Sequence, residues 1–404
     1  MTGGVVVVGG GIAGVSTAAA LRSAGFVGDL TLVDAGEFPY DRPPLSKDFL
    51  AGTKQLSEIA LQPSRWYDDQ KIRLLTKSRV TALRPAFGAV ELTDGTTVSA
   101  DHVVLATGGR AARPPIPGSE STRVHVLRCE EDADRLREAL RPGTRALVVG
   151  AGLIGAEVAS TAVDLGCEVV LVDPADPPLA QAIGSEIATW LHRLHGQRGI
   201  RTMRASVETL RDTGSGIEAR LTGHDMPWLF DVVILGVGMV PETSLAEAAG
   251  LEVDRGIVVD RTQSTSNPAI LAVGDPARVR HNGALLLRTE HWEAAQHDGQ
   301  RAAATILGIA PPADTAPWFW TDRHHRHVEA VGEMSAAERI VLRGALDDSS
   351  FSAFGLAGGL VVGAVAVDEP TAVRAARRMI DRGIAVDSDR LADTATDLRK
   401  LLRG

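Results

Sequence analysis

The 404-residue chain is poor in sulfur, in lysine and in long apolar runs. Its two cysteines, Cys129 and Cys167, are far apart and form no C-x-x-C, which excludes a disulfide framework and a dithiol redox centre of the usual spacing. No apolar run reaches the roughly 18 residues of a membrane span. The N-terminus passes from Met1 into a buried-strand pattern within a few residues, so no secretory signal and a cytoplasmic location are expected. Positive charge is also scarce: the net charge is −9, and only five of the 42 basic residues are lysines. That balance argues against nucleic acid or an anionic membrane as the principal partner. What the chain has instead is glycine, 42 residues of it, with 44% hydrophobic and 23% charged content, the profile of a Gly-rich α/β protein. Its length calls for two or three domains.

Two stretches share one pattern. Val7-Val-Gly-Gly-Gly-Ile-Ala-Gly14 and Val148-Val-Gly-Ala-Gly-Leu-Ile-Gly-Ala-Glu157 each end an apolar run in G-x-G-x-x-G and continue as a small-residue helix. A strand that turns into a helix in this way places a pyrophosphate on the helix N-terminus. The first glycine (Gly9, Gly150) allows the turn, the second (Gly11, Gly152) lets phosphate approach the main chain, and the third (Gly14, Gly155) lets helix pack on strand. Ala13 lies in the first loop, and Leu153 and Ile154 in the second. About 20 residues after each loop a strand ends in an acid, Asp34 and Asp173, suited to ribose hydroxyls. Two dinucleotides are expected. No Arg or Lys stands in residues 174–178 to take a 2′-phosphate, which favours NADH over NADPH.

Between these units lies Phe38-Pro-Tyr-Asp-Arg-Pro-Pro-Leu-Ser-Lys47, by composition a rigid loop opening a helix at Ser46. This decapeptide resembles the signature of the oxygenase-coupled, NADH-dependent ferredoxin reductases, the putidaredoxin reductase and rhodocoxin reductase family. The resemblance runs from Val5 to about Val367. It implies two Rossmann-like domains in a glutathione-reductase-like α/β architecture plus a C-terminal α+β domain. FAD would occupy residues 1–112 and 245–315, NAD residues 113–244, and the third domain 316–404.

Carried over by position, Lys47 lies beside the flavin ring and Arg42 near its ribityl-phosphate side. Val80, the A-T-G motif Ala106, Thr107 and Gly108, and Arg128 are flavin contacts in the same sense. So are Gly274 and Asp275 of the G-D motif, and Glu290, His291 and Trp292 along the isoalloxazine. Val237 and Gly238 border the nicotinamide. Trp320, the second Trp of Pro317-Trp-Phe-Trp-Thr-Asp322, sits near the flavin on the side facing the acceptor. Glu157 is expected to pair with Lys47 across two domains, and as a bare helix residue it would be a first-turn acid favoured by the macrodipole.

The implied activity passes electrons from NADH through FAD to a [2Fe–2S] ferredoxin that serves a cytochrome P450 or Rieske oxygenase, with catalytic roles for Lys47, Glu157 and Trp320. Thiol-dependent relatives of the fold need cysteines absent here: this chain has Ser46, and no Cys before Cys129. An NADH oxidase-type or apoptosis-inducing-factor-like flavoprotein without a ferredoxin partner is the alternative; the latter is expected to carry targeting sequence and long insertions. Arg323-His-His-Arg-His327 departs from the family. Two adjacent histidines do not complete a metal site, so a solvated basic loop is expected. With the arginines of 278–288 it is expected to steer an acidic ferredoxin.

Overall fold

The computed structural model describes residues 3–402, leaving Met1, Thr2, Arg403 and Gly404 outside the description. The chain divides into two compact units. One comprises the chain up to Arg42, Gln55–Arg110 and Met239–Asp314; the other comprises Pro43–Lys54, Ala111–Gly238 and the chain from Thr315.

The first unit is built on a parallel sheet in the order Ile270–Ala272, His102–Leu105, Val5–Val8, Leu30–Val33, Arg73–Leu75. Its central strand is four valines because both faces are covered: Val5 and Val7 enter one core, Val6 and Val8 another. On the first face helices Ile12–Ser23 and Trp292–Leu307 pack together. They approach closely at Gly299, where a Cβ would stand 2.6 Å from Ala13 O. Antiparallel strands Val80–Arg84, Ala89–Leu92 and Thr97–Ser99 form a small meander on the other face; residues 103–105, which the sequence reads as the meander's last strand after residues 89–92 and 96–98, belong instead to the parallel sheet.

The second unit repeats the parallel plan in the order Arg201–Arg204, Glu168–Asp173, Arg145–Val149, Val232–Leu235, Val124–Val126. The C-terminal part is an antiparallel sheet ordered Trp318–Arg323, Arg326–Gly332, Leu360–Val367, Phe351–Ala357, Arg339–Arg343. Helix Pro370–Arg382 covers one face through Ala372, Ala376 and Met379. The other face carries Val328, Ala330, Phe351 and Val365 onto Ile187 and Leu191 of helix Ser185–Gln197, so this sheet and the second nucleotide fold share a core. Among the described residues no helix is long and apolar enough to cross a membrane.

Two local expectations are corrected. The prolines at 43 and 44 wind a 3₁₀ turn over Pro43–Ser46, so helical structure ends at Ser46 instead of opening there. Residues 323–327 are not a solvated loop. His324 and His325, at φ 54° and 60°, form the two-residue turn of the hairpin, and Arg323 (4% exposed) and His324 (7%) are buried. His324 Nε2 lies 2.8 Å from Nδ1 of His195 on helix Ser185–Gln197, and the main-chain N–H of His324 donates to Ser160 Oγ at 2.7 Å.

A ring–ring hydrogen bond needs one facing nitrogen protonated and the other bare, so it does not survive protonation of both rings. Burial pushes His195 down to about 2 and His324 down to about 4, and the neighbouring Arg323 guanidinium pushes in the same direction. Both folded values lie below the ordinary 6.5, so the unfolded chain binds more protons and stability is lost as pH falls below 6.5. Between pH 6.5 and about 4 the slope should be on the order of 1.4 kcal/mol per pH unit for each histidine. Denaturant unfolding against pH measures it. His324→Asn, which tolerates positive φ, should flatten the slope; an equally steep slope in that variant would contradict the assignment.

Candidate functional site

In the first unit, Gly9 has φ 113°, and a Cβ there would overlap Ala106 O; a Cβ on Gly14 would overlap Gly9 O. Strand, turn and helix therefore close only with glycine at both positions. A Cβ on Gly11 would meet Arg42 Nη1 at 2.6 Å, so the guanidinium stands beside the main chain of the loop. Helix Ile12–Ser23 has Gly11 as N-cap, no side-chain cap and no acid in its first turn, which leaves its N–H groups for an anion. Asp34 reaches back to the loop, with Oδ2 2.6 Å from a Cβ on Gly10. Donors for a pyrophosphate and, in Asp34, an acceptor for ribose hydroxyls stand together, and FAD fits them.

Around this cradle, Ala13 packs against Gly274, which has φ 73°. Thr107 Oγ1 donates to Glu242 O at 2.7 Å, next to Gly108 at φ 66°. Val80 is buried in the core beneath the sheet. Glu290 pairs with Arg288 at 2.7 Å, and His291, its pKa lowered by burial against the opposing charge of Asp275, precedes helix Trp292–Leu307. Trp292 Nε1 donates to Asp41 Oδ1 at 2.8 Å. Sequence reasoning missed Asp298. Pushed up to about 6 by burial, it accepts from Gly274 N at 3.2 Å and Gln263 Nε2 at 3.0 Å, and so holds the Gly274-Asp275 turn. Its only signal was an acid inside an alanine-rich helix.

The second unit reproduces the loop. Gly150 has φ 97° against Gly236 O, and a Cβ on Gly155 would overlap Gly150 O, whereas one on Gly152 would meet nothing within 4 Å. The space before Gly152 leaves room for a phosphate to approach the main chain. Helix Leu153–Asp164 again lacks a side-chain cap and a first-turn acid. Glu157 is its fifth residue, which removes the first-turn macrodipole reading. Asp173 is oriented by Ala151 N at 2.7 Å and Ala175 N at 2.8 Å. Arg204, paired in register with Asp173 and donating to Pro174 O at 3.3 Å, is a cation that residues 174–178 alone did not show. Ile154, Val237 and Gly238 complete the rim, the first two as exposed apolar side chains. Arg128 lies in this unit, just ahead of helix Glu130–Ala139, with its N–H on Asp132 Oδ2 at 3.0 Å.

Glu157 is the convergence point. Its Oε2 accepts from Ser46 Oγ at 2.6 Å and Lys47 Nζ at 2.8 Å; its Oε1 accepts from Thr321 Oγ1 at 2.7 Å and Asp322 N at 3.3 Å. One turn on, Ser160 accepts from His324 N, and Thr161 Oγ1 donates to Ser46 O at 2.7 Å. One face of the helix, at i, i+3 and i+4, thus holds both the 43–54 segment and the C-terminal hairpin. The Lys47–Glu157 pair forms within a single compact unit, because Pro43–Lys54 belongs with the second nucleotide fold. Trp318 and Trp320 stack in the adjoining strand, centroids 5.0 Å apart at 25°.

Neither thiol belongs to these groups. Burial pushes Cys129 up to about 12 and Cys167 up to about 11, so both are protonated near neutrality. The arginines assigned to partner steering are committed within the protein. Arg278 and Arg323 are buried, Arg280 binds Glu252, Arg288 binds Glu290 and Arg326 binds Asp368. Among the described residues no group of three or more His, Cys, Asp or Glu could hold a metal.

Because a methyl at Gly152 meets no protein atom, Gly152→Ala should melt like the parent yet bind NADH about tenfold or more weaker. Gly155→Ala should lower the melting temperature, since it collides with Gly150 O. Isothermal titration and thermal unfolding separate the two; undiminished NADH binding by Gly152→Ala would contradict the cradle.

Comparison with known proteins agrees with this geometry. The family model for pyridine nucleotide-disulphide oxidoreductases matches residues 3–299, and the reductase C-terminal model matches residues 318–402. The ferredoxin–NAD(+) reductase subunit of a benzene 1,2-dioxygenase system from Pseudomonas putida is 35% identical over 405 residues, covering 100% of this chain and 98% of the relative. Rhodocoxin reductase from Rhodococcus erythropolis is 35% identical, covering 98% of this chain and 93% of the relative. The crystal structure of a covalent putidaredoxin reductase–putidaredoxin complex superposes with a TM-score of 0.90 at 32% identity, covering 99% of this chain and 98% of that one. Two nucleotide cradles, the matched models and this full-length similarity together show that the chain belongs to the pyridine nucleotide-disulphide oxidoreductase family, as one of its ferredoxin reductases.

Proposed function

We propose that this chain is an FAD-dependent NADH:ferredoxin oxidoreductase that supplies a [2Fe–2S] ferredoxin serving a cytochrome P450 or Rieske oxygenase. The balance is one NADH and two oxidised ferredoxins giving NAD⁺, one proton and two reduced ferredoxins. FAD supplies the conversion between a two-electron hydride donor and one-electron acceptors. The protein binds, orients and tunes.

The observation that carries the reading is the occupant of the Glu157 carboxylate. Ser46 and Lys47 donate to it, where thiol-dependent enzymes of this fold would need a reactive cysteine. Lys47 is in this reading the cation beside the flavin ring, and Glu157 holds its ammonium in place. Arg42, beside Gly11, neutralises the FAD pyrophosphate, while Asp34 and Asp173 take ribose hydroxyls. Trp320 stands at the electron exit. The same reading places the protein in the cytoplasm, where unpaired thiols such as Cys129 and Cys167 persist reduced.

An anaerobic titration tests it. Each NADH added to the FAD-loaded protein with excess ferredoxin should reduce two ferredoxin clusters, and the double variant Cys129→Ser/Cys167→Ser should do the same. NADH consumption that leaves ferredoxin oxidised would contradict the assignment. Loss of cluster reduction in the double variant would return the reading to thiol chemistry.

A further inference from the structure

Along one face of the hairpin Trp318–Arg323/Arg326–Gly332 runs a row of polar contacts that neither nucleotide cradle uses. Residues 318, 320 and 322 share a face by the two-residue repeat of a strand, and 327, 329 and 331 stand opposite them, with Asp322 paired to His327 and Trp320 to Glu329. Asp322 Oδ2 is 3.9 Å from Lys47 Nζ, and Asp322 Oδ1 is 2.6 Å from His327 Nδ1. His327 Nε2 is 3.3 Å from Glu329 Oε1, and Glu329 Oε2 accepts from Trp318 Nε1 at 2.9 Å. Trp318 then stacks on Trp320.

Glu329 is buried, and a buried carboxylate needs a cation as well as a hydrogen bond. Trp318 gives it only a neutral N–H. Among the described residues neither of the other cations facing this row pairs with Glu329: Lys47 is held on Glu157 and reaches only Asp322, at 3.9 Å, and Arg326 is on Asp368, whose Oδ1 also accepts the His327 main-chain N–H at 2.9 Å. His327 is thus the group that can donate to both Asp322 and Glu329.

We propose that His327 is the positioning residue of the electron exit: by bridging Asp322 and Glu329 it fixes Glu329 on the Trp318 indole and so sets the Trp318–Trp320 stack. This rests on the assignment of Trp320 to the exit. Burial lowers the imidazole, but hydrogen bonds and charge from Asp322 and Glu329 outweigh it and raise the group above its ordinary 6.5, which favours the doubly protonated form. As pH climbs through the raised value the imidazole loses one N–H, one carboxylate loses its donor, and Trp318 loses its fixed acceptor.

Stacked indoles give an exciton couplet in far-ultraviolet circular dichroism, assignable here by its loss in Trp318→Phe. In the FAD-loaded parent the couplet should be strongest below the raised imidazole value and weaken as pH rises through it. His327→Leu should lose most of its amplitude at every pH. His327→Arg, a permanent cation with donors for both carboxylates, should restore it without pH dependence. Ferredoxin kcat/KM should follow the couplet through the series while NADH-driven ferricyanide reduction stays level. A couplet unchanged by pH in the parent, or unchanged in His327→Leu, overturns the positioning role. A couplet that responds as stated while ferredoxin kcat/KM does not overturns instead the assignment of Trp320 to the exit.

Discussion

A buried carboxylate that four donors converge on is the constraint from which the rest of the second unit follows. Glu157 sits inside the protein on a helix whose other positions up to Val163 are small or apolar, where an uncompensated charge would cost several kcal/mol. Its compensation is drawn from two places in sequence: Ser46 and Lys47, and Thr321 and Asp322. Removing one donor leaves the charge partly unpaired, at roughly 3–5 kcal/mol for the loss of a buried ionic partner. An exposed pair such as Arg65–Asp69 contributes at most about 1 kcal/mol. The requirement to satisfy Glu157 therefore fixes where Lys47 stands and how the C-terminal hairpin lies on the helix. Ser160 and Thr161 extend the same seam by one turn.

The two cradles show how one local solution serves two tasks. Each closes because its first and third glycines lie against main-chain oxygens, and each opens because the second presents no side chain to the ligand. Their surroundings differ. Arg42 adds a cation beside Gly11, whereas the second loop leaves Gly152 bare and places Ile154 and Val237 as apolar rim. The first helix runs into a packed pair with Trp292–Leu307; the second presents Glu157 one turn in.

What could be read from the chain alone was what depends on neighbours in sequence. Both phosphate loops, the doubly covered valine strand, Asp34 and Asp173 each follow from local spacing. The positions that escaped are defined by distant partners. His324 looks like part of a charged, solvated run, yet the turn that buries it is closed by Ser160 and His195, more than a hundred residues away in sequence. Arg278 and Arg323 read as surface cations and lie inside. Asp298 looked like an ordinary helix residue until Gly274 N and Gln263 were placed on it. The segment Pro43–Ser46 reads by composition as leading into a helix, because its docking on Glu157 and Thr161 is invisible to composition.

The charge on Glu157 is the centre of this account, and Glu157→Gln isolates it by keeping the shape while replacing one acceptor oxygen with an amide that faces Thr321 Oγ1 or Lys47. The direct measurement is the rate of FAD reduction by NADH, followed by rapid mixing on protein shown to hold its full complement of FAD. The account predicts a rate lower by about tenfold or more with FAD content unchanged. Reduction as fast as in the parent would contradict it and leave the Lys47–Glu157 pair as a structural tie alone.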